Sequence, residues 1–87
     1  MWEVRVRKPA RKSVLRAPRP ERERLLRALE EMERHPFTGD IQPLKTQPNA
    51  WRRRVGDWRI FFDVHPEQRL VDVVEISRRT TTTYRRR

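Results

Sequence analysis

The stretch Trp51-Arg52-Arg53-Arg54-Val55-Gly56-Asp57-Trp58-Arg59-Ile60-Phe61-Phe62-Asp63-Val64 decides what this chain folds into. Two β-prone runs flank Gly56-Asp57, which suits a two-residue hairpin loop because glycine supplies the positive φ that a II′ turn needs. Such a turn predicts that 55 faces 58, 54 faces 59, 53 faces 60, 52 faces 61 and 51 faces 62. Side chains alternate between faces with a period of two, so the hairpin sorts itself. One face collects Trp51, Val55, Trp58, Ile60, Phe62 and Val64, an apolar surface for a core, with Arg53 as its exception. The other collects Arg52, Arg54 and Arg59, with Phe61 and Asp63 beyond them. Three guanidiniums on one face of a rigid sheet suit phosphate.

The whole chain of 87 residues allows one domain with a modest core. The hydrophobic fraction is 34% and the charged fraction 39%, so little apolar surface is available to bury. A net charge of +10 points to a polyanionic partner, nucleic acid or ribosome, because clustered Lys and Arg gain affinity by releasing condensed counterions. With no cysteine there is neither a disulfide framework nor a thiolate metal site. No metal-binding constellation and no cofactor motif is visible in the sequence. No apolar run approaches the roughly 20 residues of a membrane span, no signal peptide is visible, and the cytoplasm is the expected location. The charge is uneven: residues 1–19 carry seven Lys or Arg against Glu3, whereas Glu21 to Arg34 is balanced.

Along the chain, Trp2, Val4 and Val6 alternate with Glu3, Arg5 and Arg7 as a half-buried first strand. Pro9 opens a short helix with Ala10, Val14 and Ala17 on one side. Pro20 sits in the first turn of a second helix that runs to about His35, where Pro36 stops it. Leu25, Leu29 and Met32, with Leu26 and Ala28 beside them, form its apolar stripe, and Glu23–Arg27 and Glu30–Arg34 have the spacing to support it. Residues 37–49 connect to the hairpin, with a short strand near Ile41 or Leu44. A turn through His65-Pro66-Glu67-Gln68 leads to a last strand from Leu70 to Ser77, whose valines imply cover on both faces. Its register against the hairpin is open. Strand, two helices and a meander of strands predict an α+β fold, a small antiparallel sheet with two N-terminal helices on one face.

This order, together with Arg53-Arg54-Val55-Gly56-Asp57-Trp58-Arg59-Ile60, resembles the RelE/ParE superfamily of bacterial toxin–antitoxin toxins. Lys8-Pro9-Ala10-Arg11-Lys12, Pro43-Leu44-Lys45, and Glu75-Ile76-Ser77-Arg78-Arg79 followed by Tyr84 extend the resemblance almost end to end, as one domain over residues 1–87. It is nearer the RelE-like branch, whose members enter the ribosomal A site and cut mRNA by driving the 2′-hydroxyl onto the adjacent phosphate. ParE-like members instead poison DNA gyrase. Both are neutralised by a cognate antitoxin.

The RelE-like pattern implies that Arg52 and Arg54 hold mRNA and stabilise charge. It implies that Arg59 contacts the scissile phosphate, that Arg79 closes the last strand as a catalytic arginine, and that Tyr84 stacks on a base or moves a proton. Lys45, Arg78 and Arg85 are expected as further phosphate contacts. Such cleavage needs a base, an acid and positive charge for the phosphorane. Arginine supplies the charge through its planar fork, yet it stays protonated and cannot carry a proton. Some relatives have lysines where Arg52 and Arg54 stand, a glutamate where Gln42 stands, or a histidine near the terminus; this chain has none of these.

That leaves Tyr84, beside Arg79 and Arg85 whose charge favours phenolate, as the proton carrier, or else as a ring packed on the sheet edge. Arg59 has two roles open as well, an anion site or a pair with Asp63 or Glu75. Arg53, on the core side, is expected to snorkel or to pair with a glutamate of the second helix. His65 reads as a turn residue away from the arginine face, and His35 as a helix cap. A ribosome-dependent mRNA endoribonuclease is the function expected. A gyrase inhibitor and a catalytically silent RNA- or partner-binding relative are the alternatives.

Overall fold

The computed structural model describes residues 1–45 and 47–79. Two proline boundaries cut the helical part where the sequence places them. Helix α1 (Lys8–Arg16) takes Pro9 in its first turn, where a missing N–H costs nothing, and ends at Ala17, which precedes Pro18 and is extended (ψ 147°). Helix α2 (Arg19–Arg34) starts on the Pro18 carbonyl, which accepts the Arg22 N–H at 2.8 Å. It stops at His35, which is extended before Pro36 and whose own N–H still reaches the Glu31 carbonyl at 2.9 Å. In α2, Glu23 pairs with Arg19 one turn back (3.4 Å), in place of Arg27.

Five strands follow the order β1-β5-β4-β3-β2: β1 (Glu3–Val6), β2 (Asp40–Pro43), β3 (Ala50–Val55), β4 (Trp58–His65) and β5 (Leu70–Arg78). The β3–β4 register is the one the Gly56-Asp57 turn dictates, pairing Val55 with Trp58, Arg54 with Arg59 and Arg52 with Phe61. Gly56 has φ 60°, and Arg69 is the one described non-glycine residue with positive φ, so the second loop position is negative, as a II′ turn requires. A 3-10 turn (Pro66–Gln68) joins β4 to β5. The sheet is mixed, not wholly antiparallel: β1 pairs with β5 in parallel, Val4 beside Val71 and Val6 beside Val73, while the other three pairings are antiparallel. That pair joins opposite ends of the chain, which no local turn specifies.

Both helices lie on one face. Ala10, Val14 and Ala17 of the first helical segment and Leu25, Ala28 and Met32 of the second recur at helical spacing and are buried. They pack with Trp58, Ile60, Phe62, Val64, Val71, Val73 and Ile76 of the sheet, forming one core. Leu29 is half-buried, whereas Leu26 turns to solvent and is not part of the stripe. The first four residues of β5 are all buried: β5 is central in the sheet, between β1 and β4, its valines face the helices, and Arg7 lies on Asp72 of the other face. Among the described residues no helix is long and apolar enough to cross a membrane.

One irregularity changes which side chains reach the open face of the sheet. Between β4 and β5 the register runs Ile60–Ile76, Phe61–Glu75 and then Phe62–Val73, leaving Val74 as an extra residue in β5. A β-bulge of this kind breaks the alternation, so the two halves of β5 are out of phase.

Candidate functional site

The face of the sheet away from the helices carries the hairpin arginines. Each row across it follows from the register. Asp40, Arg54, Arg59 and Ser77 make one row. Gln42, Arg52, Phe61 and Glu75 make the next. Arg79 lies one residue past β5, its N–H on the Asp57 carbonyl at 2.7 Å, which ties it to the hairpin turn at the end of the sheet where Arg54 and Arg59 stand.

Arg54 and Arg59 are directly opposite one another. Like charges in that position are destabilising, since adjacent strands hold the two stems side by side. Arg54 has one distant carboxylate, Asp40, with its Nε 3.9 Å from Oδ2 and both groups largely in water. Such a contact contributes about 0–1 kcal/mol. Among the described residues the Arg59 side chain has no hydrogen-bond or ion-pair partner, and it pairs with neither Asp63 nor Glu75. Arg52 is held more firmly: Nη2 donates to Gln42 Oε1 at 2.5 Å, while Nη1 is buried without a partner among the described residues. Gln42, which cannot take a proton, therefore orients an arginine.

Two expected phosphate contacts stand elsewhere. Arg78 alternates onto the helix side of the sheet, where its Nη2 lies 3.7 Å from Glu21 and its guanidinium 5.8 Å over the Trp58 ring. It belongs to the joint between β5 and α2, where Trp58 Nε1 also donates to Glu21 at 2.8 Å. Lys45 is exposed in the β2–β3 connection, at the end of β3 away from the Arg54–Arg59 pair. Tyr84 and Arg85 lie outside the described residues.

Arg53 takes its expected role on the core side. It is 8% exposed; Nη2 donates to Glu31 at 2.6 Å, and Nη1 lies 3.4 Å from both the Ala28 carbonyl and Thr38 Oγ1. The hydrogen bond from Arg53 holds the Glu31 carboxyl below its ordinary range. His35 caps α2, and its Nδ1 accepts the Phe37 N–H at 3.2 Å.

His65 departs from expectation. It is the last residue of β4, and strand alternation puts it on the same face as Arg59, at the far end. There Asp63, His65 and Asp72 bring ligand-type atoms within 4.8 Å of one another, a grouping that the sequence hides because β5 supplies one member. Arg7 already occupies both oxygens of the buried Asp72, Nε to Oδ1 at 3.1 Å and Nη2 to Oδ2 at 2.7 Å. Those bonds depress the Asp72 carboxyl and burial opposes them. Within the grouping, Asp72 is thus committed to an arginine cation. The described open face also carries a carboxylate that the sequence suggests only as a possible partner for Arg59. Glu75 points to this face because of the bulge.

Known proteins match this architecture. The sequence model of the family described as the ParE toxin of type II toxin–antitoxin systems, parDE, covers residues 4–82. No curated protein sequence matches the chain significantly. Among solved structures, the archaeal RelE–RelB complex of Pyrococcus horikoshii superposes with a TM-score of 0.80 at 20% identity, covering 92% of this chain and 97% of that one. The isolated RelE toxin of E. coli gives 0.79 at 18% identity, covering 97% and 92%. A YoeB/ParE toxin from Agrobacterium tumefaciens gives 0.74 at 18%, covering 90% and 99%. At such identities the structures establish a shared fold, and the family match extends over nearly all of the sequence. The chain belongs to the ParE toxin family of type II toxin–antitoxin systems, within the RelE/ParE superfamily.

Proposed function

We propose that this toxin is a ribosome-dependent mRNA endoribonuclease, arresting translation by cleavage driven from the 2′-hydroxyl. The observation that carries the proposal is the Arg54–Arg59 opposition, with Arg52 in the next row and Arg79 at the turn. A fold that sets like charges face to face, and leaves the Arg59 side chain without an ion-pair partner among the described residues, is poised for an anion. RNA phosphate supplies one. In this mechanism Arg59 and Arg79 hold the scissile phosphate and stabilise the charge that develops on its oxygens, and Arg52 and Arg54 hold the flanking backbone. Lys45, Arg85 and Tyr84 act at the periphery, Tyr84 as a base-stacking ring or proton carrier.

A cognate antitoxin is the second partner, with an acidic segment that complements the basic surface; among the structural relatives are a RelE–RelB complex of P. horikoshii and an intact RelBE toxin–antitoxin complex of E. coli. The alternative target is DNA gyrase, favoured by the match to ParE toxins and by the lack of lysine or histidine among Arg52, Arg54, Arg59 and Arg79. Controlled induction separates the two. Mapped transcript ends inside open reading frames, abolished by Arg59→Ala, are the expected result. DNA-damage signalling with intact transcripts would establish the gyrase alternative, and no toxicity with salt-sensitive RNA binding would leave a silent binding relative.

A further inference from the structure

We propose that Glu75 is the general base that takes the 2′-hydroxyl proton. The assignment rests on the proposed ribonuclease activity and supplies what the arginines lack, a group able to change protonation state. Its origin is the bulge. Val71 and Val73 face the core in the first half of β5. Without the extra residue Val74, Glu75 would fall opposite Ile60, which is fully buried, and a carboxylate would enter the core. With it, Ile76 takes that place and Glu75 emerges opposite Phe61 on the arginine face.

On that face Glu75 is one diagonal step from Arg59, whose direct neighbour is Ser77. Diagonal residues stand about 7–8 Å apart. Neither the Glu75 nor the Arg59 side chain has an ion pair or hydrogen bond among the described residues, so both stay available to a ligand laid along this face. A phosphate seated against Arg59 would carry its adjacent ribose toward Glu75, one diagonal step away. Phe61, half-buried between Arg52 and Glu75, gives that ribose or its base a flat apolar floor. The other carboxylates nearby are displaced: Asp40 lies on β2 on the far side of Arg54 from Arg59, Asp57 lies in the turn, and Asp63 is a further row away.

The step balances without a metal or a co-reactant beyond water. The Glu75 carboxylate takes the proton from the 2′-hydroxyl as the 2′-oxygen bonds to phosphorus. The bond from phosphorus to the 5′-oxygen breaks, that oxygen leaves with the electron pair, and it takes a proton from water. A 2′,3′-cyclic phosphate and a 5′-hydroxyl result, and Glu75 returns its proton to solvent.

The test measures single-turnover cleavage of mRNA on programmed ribosomes by the full chain and by Glu75→Gln and Glu75→Asp. A second substrate carries sulfur in place of the scissile 5′-oxygen, a leaving group that needs no acid. Glu75→Gln is expected to lose about 10²- to 10⁴-fold in rate on both substrates, with thermal midpoint and ribosome affinity unchanged, and Glu75→Asp to recover part of it. Full rescue of Glu75→Gln by the sulfur substrate would make Glu75 an acid and overturn the assignment. So would a Glu75→Gln rate within about threefold of the wild type, and in both cases the ribonuclease proposal would stand. A wild-type protein that cuts neither substrate overturns both.

Discussion

Neutralising Arg59 should make this protein more stable while removing its activity. Arg59 stands directly across from Arg54, and among the described residues nothing pairs with its side chain. A cross-strand pair contributes roughly 0.2–1 kcal/mol, here with an unfavourable sign. A domain of this size shifts its midpoint by about 4–8 °C per kcal/mol, so Arg59→Gln is expected to raise Tm by roughly 1–8 °C in dilute buffer. Because the loss of the arginine stem also removes packing, a double-mutant cycle with Arg54→Gln is the clean measurement. It should return a repulsive coupling of about 0.2–1 kcal/mol near 20 mM salt that fades toward 1 M, where the screening length is about 3 Å. A coupling that is zero or attractive at low salt, or one indifferent to salt, would refute the inference that the fold carries an electrostatic cost for an anion site. In the same variants mRNA cleavage should fall, since the charge relieved is the charge that grips phosphate.

Three further outcomes test the scaffold. Gly39→Ala should destabilise by about 2–4 kcal/mol in urea melts, since its φ is 80° and a Cβ there would lie 2.6 Å from Arg53 Nε. Placing Arg53→Met beneath it should remove the steric part of that loss. Gly56→Ala should cost less, about 1–2 kcal/mol, because φ is 60° but a Cβ meets only the end of the Arg24 side chain at 3.3 Å. Asp72→Asn should cost about 1–3 kcal/mol at pH 7 through the lost Arg7 bonds. Arg7 holds the folded Asp72 carboxyl below its ordinary value, so the stabilisation is complete above that ordinary value, about 3.9, and is lost as pH falls through the lowered one. Urea midpoints of wild type and variant should therefore converge in strong acid; a gap that stays constant with pH would show that Asp72 acts by packing alone.

The hairpin was legible in the sequence for a physical reason. A two-residue loop fixes its register by geometry, and a period of two then assigns each side chain to a face, so Arg52, Arg54 and Arg59 were grouped without any tertiary information. The proline boundaries of both helices were equally local, steric matters, whereas Arg53 had snorkelling or a glutamate partner open to it until the packing of α2 on the sheet brought Glu31 to it. Arg78 and Arg79 show where that legibility stops. They are adjacent in sequence, yet one closes the helix side against Glu21 while the other is tied to the hairpin turn.

By itself, then, the sequence determined the β3–β4 hairpin, the two helices and the sorting of the hairpin's arginines, because those follow from short-range backbone geometry and side-chain periodicity. Tertiary structure alone decided the parallel partnership of β1 with β5, the meeting of Asp63, His65 and Asp72, and the face on which Glu75 emerges. The run Val71-Asp72-Val73-Val74-Glu75-Ile76 buries valines in either phase. Only packing against Phe62 and Ile60 selects the bulge at Val74 that keeps a carboxylate out of the core and sets it among the arginines.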